Sequence, residues 1–228
     1  MSRRKPGLQR KWGYVVNSLQ EIIPSYEVAS SRISLFEDRR MREEAARFAT
    51  TNGGRILDLG SGPGTLSRVV KAKGGDPVLV DASRSMLRAS GFPNAVNAVF
   101  EYLPFRAGAF DGAVSGFAIR DAHDLKVALQ QLSTVLKPGA KLGVCDLGKP
   151  DNPFFALAVA YYIRVAPPLI GLATTGRSGL RYASLFDTYV LVLRNSELKA
   201  LLGRYLGPTT IHETQMGGSI VAKCTKEG

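Results

Sequence analysis

Ile56-Leu57-Asp58-Leu59-Gly60-Ser61-Gly62-Pro63-Gly64 is the stretch on which the reading of this chain turns. The apolar run that starts at Arg55 predicts a short buried strand. It passes at once into a glycine-rich turn, and Thr65 to Ala72 predicts a helix behind it. Glycines at such a turn let a ligand approach the backbone, because no Cβ stands in the way. In open α/β sheets the ligand sits beyond the carboxyl ends of the strands. Seventeen residues past Gly64 stands Asp81, closing a second apolar run, Pro77 to Asp81. A carboxylate there can accept both hydroxyls of a ribose.

That much suits two kinds of ligand. A dinucleotide site wants GxGxxG, with the pyrophosphate on the helix N-terminus. Here the third glycine comes one residue early, as GxGxG, and Asp58 lies just before the turn. An anion beside a ligand favours a cationic group over a pyrophosphate. S-adenosylmethionine carries a cationic amino-acid end and a ribose. On the turn alone the dinucleotide alternative stays open.

The alternation continues outward. Ser83 to Ala89 predicts a helix with Ser83 as its N-cap, Asn94 to Val99 a third strand, and Gly112 to Ser115 a fourth. Asp124 to Leu136 is amphipathic and ends at Lys137-Pro138-Gly139, and Lys141 to Asp146 predicts a fifth strand. Strands and helices alternating over short connections predict an α/β, doubly wound parallel sheet with helices on both faces. Residues 152–206 read as helical and aromatic. Thr209–Thr214 and Ser219–Cys224, joined through Met216-Gly217-Gly218, predict an antiparallel hairpin. Upstream, Leu8 to Phe48 reads as helical with breaks at Pro24 and Ser30-Ser31. We therefore divide the chain into a basic flexible arm, 1–13, and one domain, 14–228. Within the domain, 14–52 are N-terminal helices and 152–192 a helical lid.

Composition narrows the chemistry. With 228 residues, 45% hydrophobic and 21% charged, the chain is neither a disordered polymer nor a rod. Two cysteines and two histidines make a disulfide framework or a metal centre improbable, and no metal site is expected. The net charge of +11 attracts polyanions without choosing among nucleic acid, anionic lipid and acidic small molecules. The longest apolar stretch, Phe154 to Ile163, is followed by Arg164 and Pro167-Pro168. A spanning helix needs roughly 20 apolar residues, so no membrane crossing is expected.

The motifs together resemble the class I S-adenosylmethionine-dependent methyltransferases, and more narrowly the ubiquinone/menaquinone biosynthesis C-methyltransferase family. The superfamily pieces are Ile56 to Gly64, Val80-Asp81-Ala82-Ser83 with Met86-Leu87, and Leu136-Lys137-Pro138-Gly139. The family pieces are Phe117-Ala118-Ile119-Arg120-Asp121, Lys149-Pro150-Asp151-Asn152-Pro153 and Gly217-Gly218-Ser219-Ile220-Val221-Ala222. The resemblance covers about Tyr26 to Ala222. It implies a seven-stranded, mostly parallel sheet with a reversed last strand. It implies S-adenosylmethionine held by Asp58, Gly60, Ser61, Gly62, Gly64, Asp81, Ala82, Met86, Phe100 and Gly116. It implies Arg120 and Asp121 as the catalytic pair, and an acceptor pocket from Tyr26, Phe117, Tyr161, Tyr182 and Phe186. The implied acceptor is a small apolar quinol, methylated on carbon.

Three departures stand out. In the family a polar side chain that meets the adenine amine is followed by a small residue; here the two positions are Val99 and Phe100, and Glu101 is the nearest substitute. Asp121 replaces an amide, and Leu180-Arg181-Tyr182-Ala183 replaces a Tyr-x-Tyr-Leu. A methyltransferase for another apolar or phenolic molecule stays open, and an RNA methyltransferase or nucleic-acid binder is favoured only by the charge. No stable nucleic-acid partner is expected. The oligomeric state is not read from the sequence. The basic arm reads as a contact with an anionic membrane surface, placing the protein in the cytoplasm and peripherally at the membrane. Asp151-Asn152-Pro153-Phe154 resembles the motif of amino-methylating nucleic-acid enzymes but follows the wrong strand and lacks the second proline. His123 is expected at the surface. In the implied fold Cys145 and Cys224 fall at opposite ends of neighbouring strands, four or five residues apart, roughly 13–17 Å and too far for a disulfide.

Overall fold

The computed structural model describes residues 31–50 and 54–228. The basic arm, the helical pattern upstream of residue 31 and Tyr26 lie outside the described residues. Seven strands form one sheet in the order β3-β2-β1-β4-β5-β7-β6. They are β1 (Arg55–Leu59), β2 (Asp76–Asp81), β3 (Ala95–Asn97), β4 (Phe110–Gly116), β5 (Leu136–Leu147), β6 (Thr209–Thr214) and β7 (Ser219–Thr225). The pairs among β1 to β5 are parallel; β7 runs antiparallel to both β5 and β6. The described helices are α1 (Asp38–Ala49), α2 (Thr65–Ala72), α3 (Arg84–Ser90), α4 (Leu125–Val135), α5 (Pro153–Thr175), α6 (Ser184–Tyr189) and α7 (Asn195–Tyr205). This is the reversed-strand sheet that the resemblance implied.

The parallel strands are apolar on both faces because both are covered. On one face Leu57, Leu59, Val78, Val80, Ala113 and Leu142 pack with Leu129, Leu132 and Leu202 of α4 and α7. On the other, Ile56 and Val114 meet Leu66 and Val70 of α2 and the alanines of α1. The α1 contact is unusually close. A Cβ on Gly143 would strike the Ala45 carbonyl oxygen, and one on Gly112 that of Ala49. Two glycines in the strands and the alanine face of α1 therefore let helix backbone rest almost directly on strand backbone.

Local signals placed most elements. Ser83 caps α3, accepting from Met86 N at 3.4 Å. Asp124 caps α4 through Lys126 N and Val127 N. Two elements differ from expectation. β5 begins at Leu136, which pairs with Phe110; residues 137–140 form a bulge in which Gly139 has φ 77°, and from Lys141 the strand resumes beside β4 and β7, so Lys137-Pro138-Gly139 lie inside the strand rather than only ending the helix. Helix α5 runs for 23 residues, through Arg164 and both prolines. It is the described helix long and apolar enough to cross a membrane by length and composition, which corrects the ten-residue expectation. Val159, Ile163, Pro167 and Gly171 are buried at four-residue spacing, and that packing overrides the local cost of proline.

Both cysteines are free and buried. Cys145 is opposite Val221 and Cys224 opposite Leu142, so three residues of register separate them rather than four or five. The odd offset also puts them on opposite faces of the sheet.

Candidate active site

The parallel strands β1, β2, β4 and β5 end side by side, and the groups with chemistry gather beyond those ends. After Leu59 the backbone turns sharply, with Gly60 N and Ser61 N both donating to Val80 O at 2.8 and 3.1 Å. Gly60, Gly62 and Gly64 have φ of 68°, 53° and 80°, a region that costs side-chain-bearing residues energy. A Cβ at Gly60 would collide with Ala118 and crowd the Phe100 ring, whereas the space beside Gly62 is open. The turn is thus closed on the protein side and open on the other. Asp81 fixes it, its Oδ2 accepting from Gly62 N and its Oδ1 from Ser83 N, both at 2.8 Å. Each oxygen keeps a lone pair for a ligand hydroxyl. Burial raises the Asp81 pKa, and the two N–H donors work against the rise.

Asp58 lies fully buried beneath the turn. Its Oδ2 accepts from Ser67 Oγ at 2.5 Å. Its Oδ1 and the neighbouring Ser61 Oγ are buried with no hydrogen-bond partner among the described residues. Burial pushes the carboxyl up to about 7; the Ser67 hydroxyl opposes this and the Asp81 charge adds to it. A buried acceptor left unmatched is costly. An arriving ammonium group would satisfy it and return the carboxyl to its ionised form. An amino-acid end toward Asp58 and a ribose on Asp81 fit this cradle, so the residues present suit S-adenosylmethionine.

The second cluster stands at the ends of β4 and β5. Gly116 closes β4, and Phe117 follows with φ 58°, its N–H donating to Cys145 O at 2.7 Å. Ile119–Asp121 then make one 3-10 turn. The Arg120 guanidinium pairs with Asp146 at the end of β5 and stands 3.9 Å from Asp121. The Asp121 side chain is 28% exposed. Burial pushes its carboxyl up to about 6; Arg120 lowers it, while Asp146 and Asp81 raise it. Behind Phe117, the Arg42 guanidinium lies 4.9 Å from the ring centroid and is ion-paired with Asp38. The sequence reading did not single out Asp146, Ser67 or the Asp38–Arg42 pair. The available signal was an acid ending a fully buried strand.

Other expected site residues fall as follows. Met86 is buried on α3, and Phe100 packs beside the glycine turn. Glu101 is engaged elsewhere, its Oε1 accepting from Asp124 N at 2.9 Å. Tyr182 is buried against Ile33, and Phe186 packs with Leu147, Val159 and Tyr189. Tyr161 does not join them. It is 69% exposed on the outer side of α5, which corrects its place in the pocket. Its position lies opposite the buried stripe of the helix. The segment 152–192 stands on the end of β5 and the β6–β7 turn, through Leu147 and Gly218 against Val159. His123 is exposed, as expected.

This fold and site define a class I S-adenosylmethionine-dependent methyltransferase. The methyltransferase domain family matches residues 57–144. The chain is 36% identical over 172 residues to a ubiquinone/menaquinone biosynthesis C-methyltransferase from Syntrophotalea carbinolica, covering 71% of this chain and 73% of that protein. It is 33% identical over 174 residues to a demethylmenaquinone methyltransferase from Thermus thermophilus, covering 71% and 79%. Among solved structures, an S-adenosylmethionine-dependent methyltransferase from Thermotoga maritima superposes with a TM-score of 0.66 at 16% identity, covering 92% of this chain and 99% of that one. The plantazolicin methyltransferase BpumL, solved with the demethylated cofactor SAH, gives 0.63 at 14% identity and covers both chains in full. The chain belongs to the ubiquinone/menaquinone biosynthesis C-methyltransferase family.

Proposed function

We propose that this enzyme methylates a ring carbon of a reduced, prenylated quinone. The observation that carries the reading is the Arg120–Asp121–Asp146 cluster placed at the ends of β4 and β5, beside the cofactor turn. S-adenosylmethionine, when bound, supplies a methyl group activated by its sulfonium. A phenolic ring carbon becomes nucleophilic enough only when a ring hydroxyl gives up its proton, and this is the protein's task. Asp121, with its carboxyl near 6, is largely ionised at neutral pH and still basic enough to take that proton. Arg120 stays charged and stabilises the quinolate oxygen. Asp146 holds the guanidinium in place. Phe117 and the apolar wall of α5 and α6 exclude water and receive the ring. The curated relatives named above carry quinone methylation in their names, which supports the same acceptor. We place the enzyme in the cytoplasm, peripherally at the membrane where such an acceptor resides.

The test is to incubate the protein with S-adenosylmethionine and reduced quinols. A product carrying one more methyl, on carbon, is expected. The rate should rise with pH through about 6, as Asp121 ionises. Asp121→Asn should lose that limb and about 10²–10⁴-fold in kcat. Methylation on oxygen or nitrogen, or an unchanged pH profile in the variant, would refute the assignment.

A further inference from the structure

Among the described residues, five other than glycine hold a positive φ: Leu35 and Phe36 at 53° and 67°, Phe117 at 58°, and Gln215 and Met216 at 52° and 58°. Such backbone is unfavourable for these residues and persists only where the surroundings enforce it. The three places are far apart in sequence, yet one line of contacts joins them. Gln215 Nε2 donates to Ser34 O at 2.7 Å, which ties the β6–β7 turn to the turn before α1. Ser34 Oγ lies 3.2 Å from Asp38 Oδ1 and accepts from Asp38 N at 3.3 Å. Asp38 pairs with Arg42 one turn along α1, and the Arg42 guanidinium lies 4.9 Å from the Phe117 ring centroid. The line ends on the residue that opens the Arg120–Asp121 turn.

The ion pair in this line is built into the fold. The Asp38 and Arg42 side chains are 9% and 8% exposed. The helix that carries them is held close to the sheet, because the carbonyls of Ala45 and Ala49 rest on Gly143 and Gly112. Phe117 packs against the cluster of Met41, Ala45, Cys145 and Val221 on the same side. A buried ion pair adds little to stability over an apolar pair that fills the same space. What it adds here is direction, since a flat guanidinium laid on a ring face restricts how the ring can turn. The Phe117 N–H is fixed independently, on Cys145 O at 2.7 Å. Ring and amide together pin the start of the 3-10 turn.

We propose that Arg42 is a positioning residue for methyl transfer: held by Asp38, it clamps the Phe117 ring and so sets where the following turn presents Arg120 and Asp121 to the acceptor. Arg42 acts through Phe117 and not on the acceptor. The inference rests on the reading of Asp121 as the base.

The test compares four full-length proteins: wild type, Arg42→Lys, Phe117→Leu and the double variant. Lysine keeps the charge opposite Asp38 but has no flat face to lay on the ring. Burial raises the Asp58 carboxyl and the Arg42 charge opposes the rise, so a variant that keeps the charge should hold affinity for SAH within about twofold by calorimetry. With S-adenosylmethionine and a short-chain naphthoquinol, kcat of Arg42→Lys should fall about tenfold or more, because small misplacements of reacting groups are costly. In the Phe117→Leu background the same substitution should change kcat by less than about twofold. Carbon-13 NMR of the cofactor-free protein follows the Asp121 carboxyl. Burial raises it, Arg120 opposes the rise, and Asp146 and Asp81 add to it. A turn that slackens changes all of these, so the Asp121 titration in Arg42→Lys should move by about half a unit or more.

A full tenfold loss in the Phe117→Leu background, or an Asp121 titration that stays in place, overturns the proposal and leaves Arg42 a structural ion pair. Should Arg42→Lys fail to fold, Ser34→Ala removes only the hydroxyl beside Asp38. The Asp121 titration should still move in that variant, and one that does not overturns the proposal. The NMR arm contains no acceptor. A wild type that binds SAH but leaves the naphthoquinol unmethylated counts against the acceptor reading, while the Asp121 titration still decides this inference.

Discussion

Replacing Asp58 by asparagine separates what its buried carboxylate costs from what it does. The carboxyl ordinarily titrates at 3.8 and is raised to about 7 in the fold, chiefly by burial. A carboxyl raised on folding is bound more tightly by its proton in the native state. Its ionisation therefore destabilises the cofactor-free protein progressively as pH climbs from 3.8 toward 7. The full cost is the shift multiplied by 1.36 kcal/mol per unit, about 4 kcal/mol. An amide at this position would avoid that cost while still accepting from Ser67 Oγ. The stability gap between Asp58→Asn and wild type should widen by about 2.5 kcal/mol from pH 5 to pH 8. Urea unfolding of the cofactor-free proteins at both pH values measures it. Cofactor affinity should move oppositely. If a cationic ligand needs the ionised carboxylate, wild-type affinity falls about tenfold from pH 8 to pH 6. The variant should bind weakly at both. Calorimetry supplies that arm. A stability gap that does not change with pH would refute the buried-charge argument, and a variant that binds like wild type would remove Asp58 from the cofactor site.

Three further outcomes follow from the same geometry. Asp81→Ala should weaken cofactor binding by roughly 1.5–3 kcal/mol, because a charge-assisted acceptor is lost, and calorimetry would show unchanged affinity if the ribose lay elsewhere. Gly143→Ala should destabilise the fold by about 1–3 kcal/mol or more, because its Cβ meets the Ala45 carbonyl and backbone cannot swing aside; denaturant titration reads this, and a neutral result would mean that α1 does not rest on β5 so closely. Both thiols should resist a thiol reagent in the native protein, since burial raises the pKa of Cys145 to about 12 and that of Cys224 in the same direction, and both should react once unfolded; fewer than two reactive thiols under denaturing, non-reducing conditions would contradict their free state.

Where one local pattern determined an element, the sequence was enough. The apolar run into Gly60–Gly64, the Ser83 cap and the Gly217-Gly218 connection all stand where their residues predicted. Long-range effects were not legible. Lys137-Pro138-Gly139 looks like a stop, yet the pairing of Leu136 with Phe110 makes it a bulge inside β5. Pro167-Pro168 looks like a break, yet buried neighbours one turn away on either side hold the helix. The site divided in the same way. The glycines and Asp81 sit on contiguous motifs and were readable. Asp146 reaches Arg120 across 26 residues, and Ser67 reaches Asp58 only because helix α2 folds back over β1. Tyr161 was misplaced because composition counts aromatics without fixing which side of a helix each one occupies.

The reversal of β7 also sets how the protein can be handled. Ser219 lies opposite Leu147, at the reactive ends of the strands, and Thr225 opposite Lys141. Six steps of antiparallel strand carry the chain roughly 20 Å to the other side of the sheet. Whatever is appended after Thr225 thus emerges behind the enzyme. A tether or reporter attached there would leave the working side facing outward, whereas one placed close to residue 31 would crowd the turn beside Arg42 and Phe117.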